Sequence, residues 1–379
     1  MNIIFIQLTG YRNSNGTGGG LEFYERLSKY LKNKGENVFA ITNNLDELGF
    51  FFLGEKRFCA NFRSVTKFPF SMFFYNRKLL KDELNRICSN LDLKNSYFIT
   101  VDPFPIDING VKILRKLGAR RIAITMYHIT PSPLWHPFRR GFLRVIPAWA
   151  ISVYALVVAK LMEIPVFLDN CNIAKFTGWH IDKCFEHLLS LGIYKCSPPD
   201  NRENICVFVG RISYNKGIVD ILKAWISIST KIPDSKLILI GKNFIGKNLN
   251  KLIQKYTPMQ NVELKGFITI EEKNEILKKA SIFIFPSYEE GWALSVMEAV
   301  DNGLLPITYN LPAYDYLGKE AVKVKPGDIR GIANTTIYYL NNEKYRKEKV
   351  IKLQNEILKY NMDFVANNWV YQLKTMETI

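Results

Sequence analysis

"NICVFVGRISYNKGIVDILKAWISISTKI", residues 204–232, holds in one piece the pattern that decides the fold. "NICVFVG" is an apolar run of strand length, "RISYNKG" a polar turn closed by glycine, and "GIVDILKAWISISTKI" has the period of a helix packed on one face. A strand, a tight turn and a helix in that order are the opening of a βαβ unit, which builds a parallel sheet. The alternation continues through "SKLILIG", "VELKGF", "IEEKNEILKKA", "SIFIFP", "ALSVMEAVDNG" and "LLPITY". Upstream the same alternation runs through "NIIFIQL", "GLEFYERLSKYLKNKG", "NVFAIT", "SYFITV", "NGVKILRKLGA" and "RIAITMY". The two series are separated by "CSPPDNREN" (196–204), whose adjacent prolines continue neither a helix nor a central strand. The expectation is two α/β domains in tandem with a cleft between them. Residues 1–196 form the first, 197–204 a linker and 205–360 the second; 361–379 is a closing helix that packs back on the first.

Bulk properties agree. A chain of 379 residues suits two cores rather than one. Hydrophobic residues at 47% with 23% charged ones are the composition of a soluble globular protein. The six cysteines show no C-x-x-C pair and no zinc-finger spacing, so free thiols in a cytoplasmic protein are expected, with no metal site and no disulfide framework. "MNIIFIQLTG" lacks a basic n-region and reads as a first strand, not a signal peptide. "VIPAWAISVYALVVA" (145–159) falls short of the roughly 20 residues that span a bilayer and reads as a buried helix.

Charge is uneven. The chain carries +16, and residues 51–150 hold 17 lysines and arginines against 6 acids, a net +11. There "FFFLGEKRFCANFRSVTKFPFSMFFYNRK" interleaves cations with aromatic rings, a mixture suited to an anionic membrane surface or a phosphate-bearing lipid. Single-stranded nucleic acid suits the same mixture, as does a solvated basic face over a Phe-rich core.

Three stretches could carry chemistry. "GTGGG" (16–20) lies between strand 1 and its helix, where Gly18, Gly19 and Gly20 let a backbone close on an anion. Leu21 breaks the dinucleotide fingerprint, and no acidic ribose ligand follows some 20 residues on, so an oxidoreductase is disfavoured. "VGRISYNKG" (209–217) sets Arg211, a planar fork, and Lys216, a compact charge, at the carboxyl end of a strand, where open α/β sheets bind ligands. "YEEGWALSVMEA" (288–299) follows a buried strand and carries Glu289, Glu290 and Glu298. On one helix Glu290 and Glu298 would lie about 12 Å apart along the axis and could not grip one group. With Glu290 in a loop and the helix starting near Ala293, the two carboxylates reach different parts of one ligand, and the helix amides face phosphate oxygens. Glu289 has no such constraint and is expected to be solvated.

The order of these pieces, with "VELKGF" and "NGLLPIT", resembles the retaining glycosyltransferases of family 4 (glycosyltransferase group 1), most strongly over about residues 205–330. The resemblance implies the GT-B fold, two Rossmann-like domains facing a central cleft. It implies that Arg211 and Lys216 bind the diphosphate of a sugar nucleotide, that Glu290 holds the donor sugar and Glu298 the ribose, and that Ala293 and Leu294 border the donor. Gly18 and Gly19 would close on phosphate and acceptor, and His128 in "TMYHITP" resembles the family's cleft histidine. Neither a metal nor a cofactor beyond the nucleotide sugar is implied.

The sequence also departs from the family. "LGIY" stands where "NGVD" is usual, with Leu191 and Tyr194 at the domain junction, and "EGWAL" replaces "EGFGL", so that Trp292 and Ala293 are expected to narrow the donor pocket. The reading is a metal-independent, hexosyltransferase-type retaining glycosyltransferase that acts on an acceptor glycan or lipid-linked saccharide. It is expected in the cytoplasm and peripheral at the membrane's inner face. The rivals are a sugar-nucleotide-binding protein without turnover and a transferase acting on protein or nucleic acid.

Overall fold

The computed structural model describes residues 1–8, 19–43, 57–60, 76–127, 129–130, 132, 142–192, 194–200, 202–256 and 261–376. The chain divides into two compact units, Met1–Gly192 with Met362–Ile379, and Ile193–Asn361.

The first unit is a parallel sheet ordered β3-β2-β1-β4-β5-β6-β7. Its strands are β1 (Asn2–Gln7), β2 (Asn37–Asn43), β3 (Arg57–Ala60), β4 (Ser96–Thr100), β5 (Arg121–Met126), β6 (Val166–Leu168) and β7 (Cys184–Glu186). Its helices are α1 (Gly19–Asn33), α2 (Arg77–Cys88), α3 (Pro105–Lys116), α4 (Phe142–Leu161) and α5 (Cys171–Phe176). Helices on both faces bury the central strands on both sides, so β1 and β4 read as continuous apolar runs rather than alternating ones.

The second unit is a parallel sheet ordered β10-β9-β8-β11-β12-β13. Its strands are β8 (Ile205–Val209), β9 (Lys236–Ile240), β10 (Val262–Gly266), β11 (Ile282–Phe285), β12 (Leu305–Tyr309) and β13 (Val322–Val324). Its helices are α6 (Ile218–Lys231), α7 (Asn248–Tyr256), α8 (Ile270–Lys279), α9 (Leu294–Asp301), α10 (Ile329–Asn341) and α11 (Glu343–Leu358). The strand order reverses at β8, which lies between β9 and β11. The carboxyl ends of β8 and β11 therefore flank the switch point where such sheets take ligands.

Sequence reading missed β3, β6, β7 and β13. Each has only three or four residues, too few to establish a period. β3, β6 and β13 are strands because a longer neighbour supplies the backbone partners, as β12 does for β13, and β7 adds to the edge that β6 then offers.

The segment around "CSPP" is tied into the second unit. The Lys195 and Cys196 amides both donate to Asp301 Oδ1, and Ser197 N donates to Asp301 O. Helix α4 has 20 residues, and among the described residues no helix is long and apolar enough to cross a membrane. The basic aromatic stretch lies outside the described residues apart from β3 and Asn76–Lys78.

The expectation that all thiols stay free is corrected at one pair. Cys171 and Cys184 form a disulfide across a Cα separation of 6.2 Å. Cys171 opens α5 just after β6 and Cys184 opens β7, and the β6–β7 pairing brings the two together. No sequence spacing signals this, because the contact belongs to two short neighbouring elements.

The last helix, α12 (Met362–Thr375), belongs to the first unit. Its Trp369 stacks on Phe167 at 4.7 Å and meets His187 edge-on at 5.0 Å, while Gln372 Nε2 donates to Glu186 O at 2.8 Å. His187 is fully buried among Phe23, Tyr24, Tyr127 and Trp369, with Nδ1 2.5 Å from Asp169 Oδ1. Burial pushes its pKa down to about 3, so the folded ring is neutral and donates from Nδ1 to the carboxylate. The unfolded chain takes up this proton near pH 6.5. Stability from this group is thus complete above pH 6.5 and is lost as the pH falls toward 3, by about 1.4 kcal/mol per pH unit. Between pH 7 and 5 the wild type is expected to lose about 2 kcal/mol that His187→Gln does not lose. Urea denaturation at both pH values checks this; equal losses in the two proteins would refute it.

Candidate functional site

β8 ends at Val209, and the chain passes through Gly210 and Arg211 into a short 3-10 turn, Tyr214–Lys216. Gly217 at φ +72° joins that turn to α6. A Cβ on Gly217 would lie 2.1 Å from the carbonyl oxygen of Pro286, the first residue beyond β11. Glycine is thus required twice, for the left-handed backbone and for close packing of the two loops. The loops are also hydrogen-bonded: Tyr288 N and Ser287 Oγ donate to Asn215 O at 2.9 and 3.4 Å, and within the first loop Ser213 Oγ donates to Asn215 Oδ1 at 2.6 Å.

This stitching sets Lys216 beneath the second loop. Its side chain is 10% exposed, as is that of Glu290. Lys216 Nζ pairs with Glu290 Oε1 and donates to Glu289 O at 3.3 Å. A cation and an anion that have both left water are held only because each compensates the other. Arg211 is different: it is exposed, and no described residue pairs with its guanidinium.

Behind the pair lies a buried polar network. Asp220, in the first turn of α6, accepts from the Tyr309 hydroxyl at 2.7 Å and from the Tyr288 hydroxyl, so the residue preceding Glu289–Glu290 is anchored in the core. Burial, and after it the charge of Glu290, raises the Tyr314 and Tyr316 pKa values well above the usual phenol range. Both rings stay neutral beside the carboxylate. The Tyr314 hydroxyl is buried and has no hydrogen-bond partner among the described residues.

Glu290 sits in the loop, and α9 begins four residues later at Leu294. The two carboxylates are therefore on different elements. Ala293 caps α9 in the left-handed region, φ 53° and ψ 64°. This conformation suits glycine, which explains the residue usual at this place in "EGFGL" and shows that alanine here costs about 1–2 kcal/mol. The Ala293 carbonyl accepts from the Tyr316 hydroxyl at 3.3 Å, and Leu294, the first residue of the helix, is half-buried. Glu298 lies inside α9, and its Oε1 pairs with Lys273 of α8.

Two expectations are corrected. Trp292 is not a wall of an open pocket: it is 4% exposed, its indole stacks on Tyr316 at 4.9 Å and meets Tyr360 edge-on at 5.1 Å, and its Nε1 donates to Met297 Sδ. The larger ring fills the core beneath the loop. Glu289 is half-buried rather than solvated, because its backbone carbonyl takes donors from Lys216 and Ser287.

Tyr194 of "LGIY" donates to Tyr360 O at 3.0 Å within the second unit. In the first unit, Gly19 and Gly20 are the opening residues of α1. Gly18 and His128 lie outside the described residues.

Lys273 and Asp220 were missed by the sequence reading. No spacing rule links Lys273 to a carboxylate 25 residues away, and Asp220 looks like any acid in a helix's first turn. An open depression of about 330 Å³ lined by Arg202, Glu203, Asn204, Asp234 and Lys236 lies at the amino ends of β8 and β9, the sheet edge opposite the loops described above.

Residues 195–353 match the family model described as "Glycosyl transferases group 1". Poly(glycerol-phosphate) alpha-glucosyltransferase of Bacillus subtilis is 26% identical over 180 residues, 45% of this chain and 26% of that protein. GDP-mannose:cellobiosyl-diphosphopolyprenol alpha-mannosyltransferase of Xanthomonas oryzae pv. oryzae is 26% identical over 117 residues, 30% of this chain and 31% of that one. The chain thus spans about a quarter to a third of the length of these curated relatives. Among solved structures, sucrose-phosphate synthase from Thermosynechococcus elongatus matches with a TM-score of 0.76 at 15% identity, covering 100% of this chain and 99% of that one. The fold is α/β of the GT-B class.

Proposed function

We propose that this chain, whose residues 195–353 match the glycosyl transferases group 1 model, is a retaining glycosyltransferase that uses a nucleotide diphosphate sugar. The observation that carries the reading is the buried Lys216–Glu290 pair at the carboxyl ends of β8 and β11, inside the matched segment and at the switch point of the sheet.

Against each other, Lys216 and Glu290 are neutralised. A diphosphate carries more negative charge than one carboxylate and draws the Lys216 ammonium to it. Glu290 then keeps its charge in a covered place only if new donors reach it, and the hydroxyls of a sugar supply them. Phosphate recognition and sugar recognition are coupled through one exchanged partner. In the transfer step the bond from the sugar's anomeric carbon to the diphosphate oxygen breaks, and its electron pair goes to the diphosphate. The acceptor hydroxyl forms the new bond on the same face, and its proton passes to the departing diphosphate. Lys216 and the exposed Arg211 offset the charge that grows on the leaving group, and the amino end of α9 adds its dipole. These groups do the electrostatic work, so the reading requires no metal.

For the acceptor, the net +11 over residues 51–150 favours a substrate carrying phosphate, and both relatives described above are named for phosphate-bearing acceptors. The proposed setting is a lipid-linked saccharide or related phosphate-bearing polymer at the inner face of a membrane, with the protein bound peripherally. His128 and the Gly18–Gly20 loop are the first unit's proposed contributions.

A panel of UDP, GDP and ADP sugars read by thermal shift, followed by release of nucleotide from the best donor, tests the activity. One donor is expected to raise the melting temperature and to be slowly hydrolysed; no response to any donor would reject the reading. Flotation with anionic vesicles at low salt tests the setting, and binding is expected to fall as salt screens the basic surface.

A further inference from the structure

We infer that Tyr314 is a positioning residue for the donor: when a diphosphate draws Lys216 away from Glu290, the Tyr314 hydroxyl donates to the Glu290 carboxylate in its place. This rests on the proposed use of a nucleotide sugar.

Tyr314 lies in the short 3-10 segment Pro312–Glu320 that follows β12. β12 pairs in parallel with β11, so the stretches after the two strands leave the sheet side by side, and the one after β11 carries Glu290. Tyr316 fastens them together. Its ring stacks on Trp292 at 4.9 Å, and its hydroxyl donates to Ala293 O at 3.3 Å.

Four buried tyrosines belong to these strand ends, Tyr288, Tyr309, Tyr314 and Tyr316. Three of their hydroxyls are engaged inside the protein: those of Tyr288 and Tyr309 donate to Asp220 Oδ2, and that of Tyr316 to Ala293 O. The Tyr314 ring is fully buried, and its hydroxyl is the one of the four with no partner among the described residues. Phenylalanine would supply the same ring without the cost of burying an unmatched hydroxyl. A hydroxyl carried there at that cost suits a second arrangement of the site, in which an acceptor reaches it.

Glu290 is the acceptor at hand. After burial, its charge is what holds the proton on the Tyr314 phenol, so the group stays a donor. Lys216 occupies Glu290 Oε1, and no described residue donates to Oε2. Side-chain torsions alone turn the carboxylate between two donors while the backbone keeps its place. Once the ammonium has moved to phosphate, the carboxylate is covered and charged, which is costly unless a hydrogen bond replaces the ion pair. A neutral phenol supplies that bond and has no charge for the diphosphate to attract.

The hydroxyl thus has two effects of opposite sign, and Tyr314→Phe reads both. The full chain is melted without nucleotide, then titrated calorimetrically with the tightest of UDP, GDP and ADP and with the nucleotide sugar of the same base. Tyr314→Phe is expected to melt at the wild-type temperature or up to about 4 °C above it, because an unmatched polar group has left the core. It is expected to bind the nucleoside diphosphate about tenfold more weakly, the loss of one hydrogen bond to a charged group. In the Glu290→Gln background the same substitution is expected to lose most of its effect on affinity, since the two residues act as one unit. A melting temperature below wild type would mean that the hydroxyl is already matched without nucleotide. Unchanged affinity for the nucleoside diphosphate, with or without weaker binding of the nucleotide sugar, would mean that Glu290 does not turn to it. An undiminished effect in the Glu290→Gln background would mean that it acts elsewhere. Each of these results overturns the inference and leaves the transferase reading standing. If wild type binds neither nucleoside diphosphate nor nucleotide sugar, both fall.

Discussion

Lys216→Met is expected to lower the stability of the second unit by about 3 kcal/mol and nucleotide-sugar turnover by about 10²–10³-fold. The stability loss follows from what is left behind. The methionine side chain would fill the space of the lysine stem, but Glu290, 10% exposed, would keep a carboxylate in a covered site without its cation. Removing one partner of such a pair costs far more than removing both, because the unpaired charge bears the whole desolvation penalty. The double variant Lys216→Met/Glu290→Gln is therefore expected to recover most of the lost stability and none of the lost turnover. Two measurements settle this: denaturant unfolding for the cycle, and nucleotide release for activity. If the single and double variants are equally unstable, the pair is not the unit described here. If Lys216→Met turns over donors like wild type, the lysine does not meet the diphosphate.

Gly217→Ala is expected to destabilise the second unit by about 4 kcal/mol or more, the range reached only by named structural faults. Two costs add. Alanine at φ +72° costs about 1–2 kcal/mol in the left-handed region. The remainder comes from the Pro286 carbonyl oxygen, 2.1 Å from the new methyl group, which is backbone at the end of a buried strand and cannot rotate away. Gly246→Ala is the control, since Gly246 at φ +78° has open space where the Cβ would go. It is expected to lose about 1 kcal/mol. A thermal melt distinguishes them: a domain of this size shifts its midpoint by about 2–4 °C per kcal/mol, so Gly217→Ala should fall by about 10 °C and the control by a few degrees. Similar melting temperatures for the two variants would mean that the loops do not press together as described. Because Gly217 places the Lys216 turn against the Glu290 loop, donor binding should weaken in the same variant.

The two predictions meet at one structural fact, the contact between the loop after β8 and the loop after β11. Their sequences lie some 70 residues apart. Hydrophobic runs of strand length and helices of regular period made both loops legible as strand ends, and the parallel sheet followed from the alternation alone. The disulfide, the short edge strands and the Lys273–Glu298 pair were not legible, since each is made of pieces too short or too distant to carry a period. Trp292 was misjudged for a related reason. Its position in a motif pointed to the ligand, whereas its burial against Tyr316, Tyr360 and Met297 depends on neighbours that the motif does not contain.

By itself the sequence determined that there are two α/β units, that the second carries its charged residues on loops at strand ends, and that Glu290 and Glu298 cannot act as one grip. These follow from local rules, strand length, helical period and rise per residue, which need no partner to be known. Tertiary structure alone decided that Lys216 is buried on Glu290 while Arg211 stays in solvent, that Glu298 is shared with Lys273, and that Ala293 holds a glycine's conformation. Those outcomes depend on strand order and on the packing of one loop against another, and a chain read in one dimension does not contain the distances that set them.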